Sequence, residues 1–128
     1  MTATTSHTTS QQDPIRFLED RFACAQACTE CARACALRAS LAEPGGTQNQ
    51  ERLRRKGIMC AEVCDATCRV LSVHGSQDED DIRGQVTWCR AVCLDTAHVF
   101  DADPGGEEAA RACRAAALAC SEFLETLG

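Results

Sequence analysis

The chain is poor in large rings and has no long apolar run. Aromatic residues make up only 4% of its 128 residues and Tyr is absent, although the hydrophobic fraction is 45%. Alanine and cysteine must therefore fill much of the interior. No stretch approaches the roughly 18 apolar residues of a membrane-spanning helix, so we expect no membrane segment. The net charge of -6 disfavours contact with a phosphate backbone, so we expect no nucleic-acid partner.

An export signal is also missing from the start of the sequence. Residues 1–12 have no basic segment followed by an apolar core. We interpret them as a disordered arm, with His7 as a bystander, and residues 13–128 as one domain. The predicted localisation is therefore cytoplasmic, where disulfides are not expected. Because the chain has eleven cysteines, complete internal pairing is also excluded, and we expect all the thiols to be free.

Start and stop signals bound the first two predicted helices. Asp13-Pro14 suits a helix start, and the pattern continues to about residue 43, where Pro-Gly-Gly interrupts it. Thr47 and Gln50 have the spacing of a capping box. The second helix then continues to about His74 and is followed by a glycine.

Two more helices follow. Ser76 and Glu79 form a second capping-box pattern, and the third helix ends near Asp101 before Asp-Pro-Gly-Gly at 103–106. The fourth helix continues to the C-terminus, and nothing in the sequence is typical of a strand. Short connections favour antiparallel neighbours, so the sequence predicts an all-α, up-down-up-down antiparallel four-helix bundle. Two helical hairpins paired across a dimer are the alternative.

The cysteines repeat at helical spacings and fall on the core face of each predicted helix. On the first helix the steps of 4, 3 and 4 residues keep the thiols within a stripe about 60° wide. Phe17 lies on the same stripe, so we expect it to face the core. The candidate metal ligands are Cys24, Cys28, Cys31 and Cys35 on helix 1, Cys60, Cys64 and Cys68 on helix 2, Cys89 and Cys93 on helix 3, and Cys113 and Cys120 on helix 4.

Converging thiolates select soft metals: copper(I), zinc or an iron–sulfur cluster. Zinc favours closed sets of four ligands, often on loops. Cysteines that bind iron–sulfur clusters lie on loops that wrap the cluster. A continuous column of thiols suits an ion that accepts two or three sulfurs and shares them, so copper(I) is the predicted metal. A zinc or iron–sulfur protein remains an alternative, and so does a structural bundle in which cysteine is a small apolar residue.

The run Cys60-x3-Cys64-x3-Cys68 resembles the second helix of the bacterial copper storage proteins, and the four cysteines of helix 1 are similar to their first helix. The resemblance covers about residues 15–127. It implies a four-helix bundle that binds many copper(I) ions on interior thiolates and assembles into a tetramer. Lack of a signal peptide resembles the cytosolic branch, and the implied function is copper(I) storage or buffering rather than catalysis.

The chain departs from the family pattern at one end of the bundle. Residues other than cysteine stand where the resemblance implies further thiols, and the start of helix 4 lacks the family's His-Cys cluster. We therefore expect a lower copper capacity and thiols concentrated in the other half. The departing positions are Arg38, Ala42, Leu53, Thr96, Phe100, Glu107, Glu108 and Ala109.

Equal distances from the connecting turns predict how the thiols are layered. One layer would contain a thiol from every helix, and the next would contain three thiols beside Ala117. The outer pairs would be Cys24 with Cys68 and Cys35 with Cys113, the latter towards the thiol-poor end. The predicted four-thiol layer is Cys28, Cys64, Cys89 and Cys120, and the predicted three-thiol layer is Cys31, Cys60 and Cys93.

The remaining candidates are minor. His74 ends helix 2, where it suits the helix dipole or a role in metal uptake. His98 lies opposite the cysteines of helix 3 and is expected to face outwards. Met59 is interpreted as packing, and Trp88 as an interface or groove residue. No catalytic triad, phosphate loop or pair of catalytic carboxylates appears, so we predict no enzyme.

Overall fold

Four helices form the part of the chain that the computed structural model describes, residues 2–43, 45–73 and 79–127. Side chains are described for residues 15–43, 45–72 and 79–127. The helices are α1 (Thr2–Ser40), α2 (Gln48–Val73), α3 (Glu79–Asp101) and α4 (Glu107–Leu127). No helix in these ranges is both long and apolar enough to cross a membrane.

The helices pack in cyclic order. α1 contacts α2 and α4, and α3 contacts the same two helices. Within the described residues, the diagonal pairs meet through cysteine side chains on the bundle axis, such as Cys28 with Cys89 and Cys60 with Cys113. This is the up-down-up-down antiparallel bundle that the sequence predicts. The α1–α2 and α3–α4 connections consequently meet at one end of the bundle, here called the two-loop end.

Local chemistry explains most of the helix boundaries. The Thr47 hydroxyl accepts a hydrogen bond from the Gln50 amide at 3.2 Å, which confirms the predicted cap of α2. Gly45 has a φ of 76°, a left-handed conformation that glycine adopts without strain. Acidic side chains in the first turns of α3 and α4 complement the positive ends of the helix dipoles. The predicted cap at Ser76 and the predicted C-terminus at His74 lie outside the described residues.

The start of α1 differs from the sequence pattern. The helix begins at Thr2 and passes through Asp13-Pro14, where the pattern predicts its first turn. Within a helix, proline removes one backbone hydrogen bond and its ring crowds the carbonyl of the preceding turn. The helical segment before Pro14 is therefore less stable than the same length of an uninterrupted helix would be. The disordered arm over residues 1–12 stays a prediction.

The core consists mainly of cysteine and alanine, with a few large side chains near the ends. Ten of the eleven cysteines are buried and Cys68 is partly exposed. Phe17 packs against this core as predicted, and His98 is exposed as predicted. Met59 and Trp88 are 49% and 48% exposed, so Met59 does not pack in the interior. Met59 directly precedes Cys60 on α2, and successive helical residues point about 100° apart, so Met59 lies off the face that Cys60 directs to the core.

Candidate metal centre

The buried cysteines form one connected set of thiols along the bundle axis, here called the thiol column. It consists of Cys24, Cys28, Cys31, Cys35, Cys60, Cys64, Cys89, Cys93, Cys113 and Cys120. Each of these side chains is 0% exposed. Helical spacing explains the arrangement, because steps of three and four residues keep successive thiols on the face that each helix turns inwards. None of the eleven cysteines forms a disulfide.

Four groups of thiols within the column lie close enough to share a metal ion. In each group all the sulfur atoms lie within 4.8 Å of one another. Two groups have four members and two have three. The groups are Cys31, Cys35, Cys60 and Cys113; Cys31, Cys60, Cys64 and Cys93; Cys24, Cys28 and Cys120; and Cys28, Cys64 and Cys89.

Shared members connect the groups. Cys31 and Cys60 belong to both four-thiol groups, Cys28 belongs to both three-thiol groups, and Cys64 links the two kinds. Contacts between Sγ atoms mark the path along the column. They measure 3.3 Å for Cys35–Cys113, 3.8 Å for Cys31–Cys60, 3.6 Å for Cys64–Cys93, 3.8 Å for Cys28–Cys89 and 3.7 Å for Cys24–Cys120.

These separations suit metal ions bound directly between sulfurs. A metal–thiolate bond of about 2.3 Å places two sulfurs on one ion about 3.8 Å apart at a tetrahedral angle and about 4.6 Å apart when linear. The observed contacts of 3.3 to 4.0 Å are at or just below this range. Small side-chain rotations would therefore admit ions. A cluster with sulfides of its own needs cysteines separated by the whole cluster, which this close array does not provide.

The predicted layers are confirmed in part. Cys28, Cys64 and Cys89 lie together, as do Cys31, Cys60 and Cys93. The assignment of Cys120 to the first of these layers is confirmed in part: its thiol neighbours those of Cys28 and Cys89 as expected, but its close group is with Cys24 and Cys28. Cys24 contacts Cys120 rather than Cys68.

The prediction for the two-loop end needs a second correction. Cys35 does contact Cys113 as expected. These two thiols are not an outlying pair, however, because they complete a four-thiol group with Cys31 and Cys60. Beyond them the two-loop end is indeed free of thiols, since Ala42, Leu53 and Phe100 are buried there.

The thiols perturb one another's ionisation. Hydrogen bonds donated by four neighbouring thiols lower the pKa of Cys60, and Cys113 contributes most. Four neighbouring thiols also lower the pKa of Cys89, and Cys120 contributes most there. The donors retain their protons, and their burial disfavours the charged form. The pKa is accordingly raised for Cys24, Cys28, Cys31, Cys35, Cys64, Cys93, Cys113 and Cys120.

Cys68 lies at the edge of the column and belongs to none of the four groups. Its Sγ donates to the Ala25 carbonyl at 3.1 Å and lies 3.1 Å from the Thr29 hydroxyl. Its pKa is lowered to about 6, first by the Cys28 thiol and then by Thr29, while burial opposes the shift. The sequence pattern gave Cys68 the same standing as the other ten cysteines and did not indicate this difference in exposure.

An ion pair at the two-loop end was also not predicted. Arg38 Nε lies 2.6 Å from Asp103 Oδ2, and both side chains are largely buried. The hydrogen bond to Asp103 raises the pKa of Arg38. The pair joins the last turn of α1 to the α3–α4 connection. Thr96, at another departing position, is buried and its hydroxyl has no hydrogen-bond partner within the described residues.

Comparisons with known proteins agree with this geometry. A family model described as "Copper storage protein" matches residues 10–125. A solved structure of a histidine-to-alanine variant of Ccsp from Streptomyces lividans is 34% identical, with 86% of this chain and 96% of that chain covered and a TM-score of 0.75. A cytosolic copper storage protein from Streptomyces lividans, in a structure of copper loading with five coppers, is also 34% identical, covering 92% and 97% of the two chains with a TM-score of 0.59. No curated protein matches at a significant level.

Proposed function

The chain belongs to the copper storage protein family, and we propose that it stores copper(I) on the thiol column. The observation that carries the proposal is the overlap of the four thiol groups, which lets neighbouring ions share sulfurs. The eleven cysteines are then ligands of stored cargo. Copper(I) is the soft, monovalent ion for which such thiolate sets are selective.

The charge of the core favours a monovalent ion over zinc. Among the described residues the buried polar or charged side chains are Thr67, Thr96 and Asp103, so no buried cation faces the thiols. Replacing one thiol proton with one copper(I) leaves the core's charge unchanged. A zinc ion held by four thiolates would instead leave two negative charges in the interior, and burying unpaired charge is costly.

Anaerobic titration of the reduced protein with copper(I), in competition with a chromophoric chelator, tests this proposal. We expect at least four ions per chain, one for each thiol group, and the release of at least one proton with each ion because bound thiols must be deprotonated. A parallel zinc titration is expected to saturate at fewer ions. Failure to retain copper against the chelator would favour a structural bundle, and preferential retention of zinc or an iron–sulfur cluster would contradict the copper assignment.

We further propose that the protein acts in the cytosol as an oligomer and has no catalytic activity. The Streptomyces lividans relative described as cytosolic supports the compartment. A tetramer, as the family resemblance implies, would cover apolar side chains that a single chain exposes, such as Ile15, Leu18 and Phe22 on α1. Native mass spectrometry of metal-free and copper-loaded protein measures the assembly. A monomer in both states would contradict the tetramer.

A further inference from the structure

Large side chains close the thiol column at the two-loop end. Phe100 and Leu53 are each buried seven residues beyond a column thiol on their own helix, and Ala42, just past the end of α1, is buried seven residues beyond Cys35. The Arg38–Asp103 ion pair lies across the same end. An ion that approached from the two-loop end would have to displace this packing before it met a sulfur.

The opposite end is closed in the same way. Phe123 is 0% exposed, and its ring centroid lies 5.6 Å from that of Phe17. Leu71 and Ile82 are 1% and 2% exposed and again lie seven residues beyond a column thiol. The Arg21 side chain donates to the Leu71 carbonyl across this end. Within the described part of the chain, neither end therefore offers solvent a path to the thiols.

The side of the bundle does offer such a path, between α1 and α2. Cys68 is the one cysteine that is partly exposed. Its neighbours there are small, because Sγ lies against the Ala25 carbonyl and the exposed Thr29 hydroxyl. On its inner side the Cys68 thiol interacts with that of Cys28, a member of both three-thiol groups. Cys68 thus connects the solvent with the column.

We propose that Cys68 is the uptake site, where copper(I) is received from a thiolate-bearing donor and passed inwards to Cys28. This inference rests on the proposed storage function. In the transfer, a bond forms between copper and Cys68 Sγ while the bond between copper and the donor sulfur breaks. Cys68 attacks as the thiolate and the donor sulfur leaves as a thiolate, so no proton moves in this step and copper remains in the +1 state. In a second exchange a bond forms between copper and Cys28 Sγ, the bond between copper and Cys68 Sγ breaks, and the proton of the Cys28 thiol passes to Cys68.

Uptake kinetics test the proposal in the full-length, reduced protein. Copper(I) is supplied as a glutathione complex, and bound copper is followed by thiolate-to-copper absorbance after rapid mixing. Cys68→Ser should slow the initial uptake about tenfold, equivalent to about 1.4 kcal/mol on the transfer barrier. Its final copper content should fall by no more than one ion, because the ten-thiol column remains intact.

Two variants control for other effects of substitution. Ser72→Ala alters the same face of α2 one turn further on and leaves the thiols untouched, so uptake should match the unsubstituted protein. Cys24→Ser also removes one thiol, but a buried one, and should lower the final copper content rather than the initial rate. If Cys68→Ser fills as fast as the unsubstituted protein, the uptake site is wrong while the storage function stands. If the unsubstituted protein takes up no copper, the storage function itself fails.

Chemical labelling gives a test that needs no substitution. One equivalent of iodoacetamide, added to the folded metal-free protein, should modify Cys68 before any column thiol, as peptide mass spectrometry would show. The labelled protein should then fill slowly. Prior labelling of another cysteine, or a Cys68 that stays unlabelled because the assembled protein covers it, would overturn the proposal.

Discussion

Cys31 illustrates how the contribution of a single thiol to copper(I) affinity depends on the number of thiols around it. It belongs to both four-thiol groups, whereas Cys24 belongs to one three-thiol group. Cys31→Ala should weaken the tightest copper sites by about tenfold or more, equivalent to at least about 1.4 kcal/mol. Cys24→Ala should lower the total amount bound and leave the tightest sites intact. Competition titration with chelators of graded affinity measures both, and equal losses of affinity in the two variants would contradict the grouping.

For single residues, the sequence predicts which thiols face inwards, but it does not predict every thiol that each of them contacts. The helical period alone places every cysteine on a core face, and ten of them are buried. Counting residues from the turns then assumes equal loops and equal rise on all helices. Seven residues separate α1 from α2, but only five separate α3 from α4. A shift of part of a turn is enough to bring Cys120 into a close group with Cys24 and Cys28 while it still neighbours Cys89.

Helix packing near the two-loop end depends on a residue without a side chain. A Cβ on Gly57 would lie 3.1 Å from the Cys35 carbonyl oxygen and 3.2 Å from both Ala39 Cβ and Phe100 Cζ. Gly57 therefore allows α2 to approach α1 closely beside a column thiol. The sequence shows this residue only as a glycine within a helix, which the helical pattern tolerates at a cost.

A matched pair of glycines tests this close approach. Gly57→Ala should lower the free energy of unfolding by about 1–3 kcal/mol, because overpacking outweighs the better helix propensity of alanine. Gly84→Ala, on α3 with nothing within 4 Å of the added Cβ, should raise it by about 0.5–1 kcal/mol. Urea unfolding of the two metal-free variants measures both changes. Stabilisation by both substitutions would show that α2 has room to move.

At the scale of the whole molecule, the sequence predicts the order of the helices better than it predicts the side-chain interactions that close the two ends of the bundle. Four separated helices with short connections leave few alternatives to the observed cyclic order. The ion pair between Arg38 and Asp103 joins residues far apart in the chain. It depends on how a loop folds over a helix end, which no local pattern encodes.

The bundle should fold before it binds metal. Its four helices already pack around a closed core, unlike a zinc finger, which needs its ion to fold. Circular dichroism should show the same helix content with and without copper(I). Copper should raise the thermal midpoint, because an ion bound only by the folded state stabilises that state. A largely unfolded metal-free chain would contradict the prediction.

Protonation of the column should make the metal-free protein sensitive to alkaline pH. In the unfolded chain thiols ionise near their ordinary pKa of 9.0, whereas in the folded protein hydrogen bonds with neighbouring thiols, and then burial, raise the pKa of most column members, among them Cys64 and Cys93. Above pH 9 the folded state thus holds more protons than the unfolded state, and the free energy of unfolding falls as the pH rises. That contribution is fully present below pH 9.

Urea unfolding at pH 8 and pH 10 should show this loss of stability in the metal-free protein. The loss should be much smaller after copper loading, since bound thiolates carry no proton to lose. Equal stability of the metal-free protein at the two pH values would contradict a protonated column.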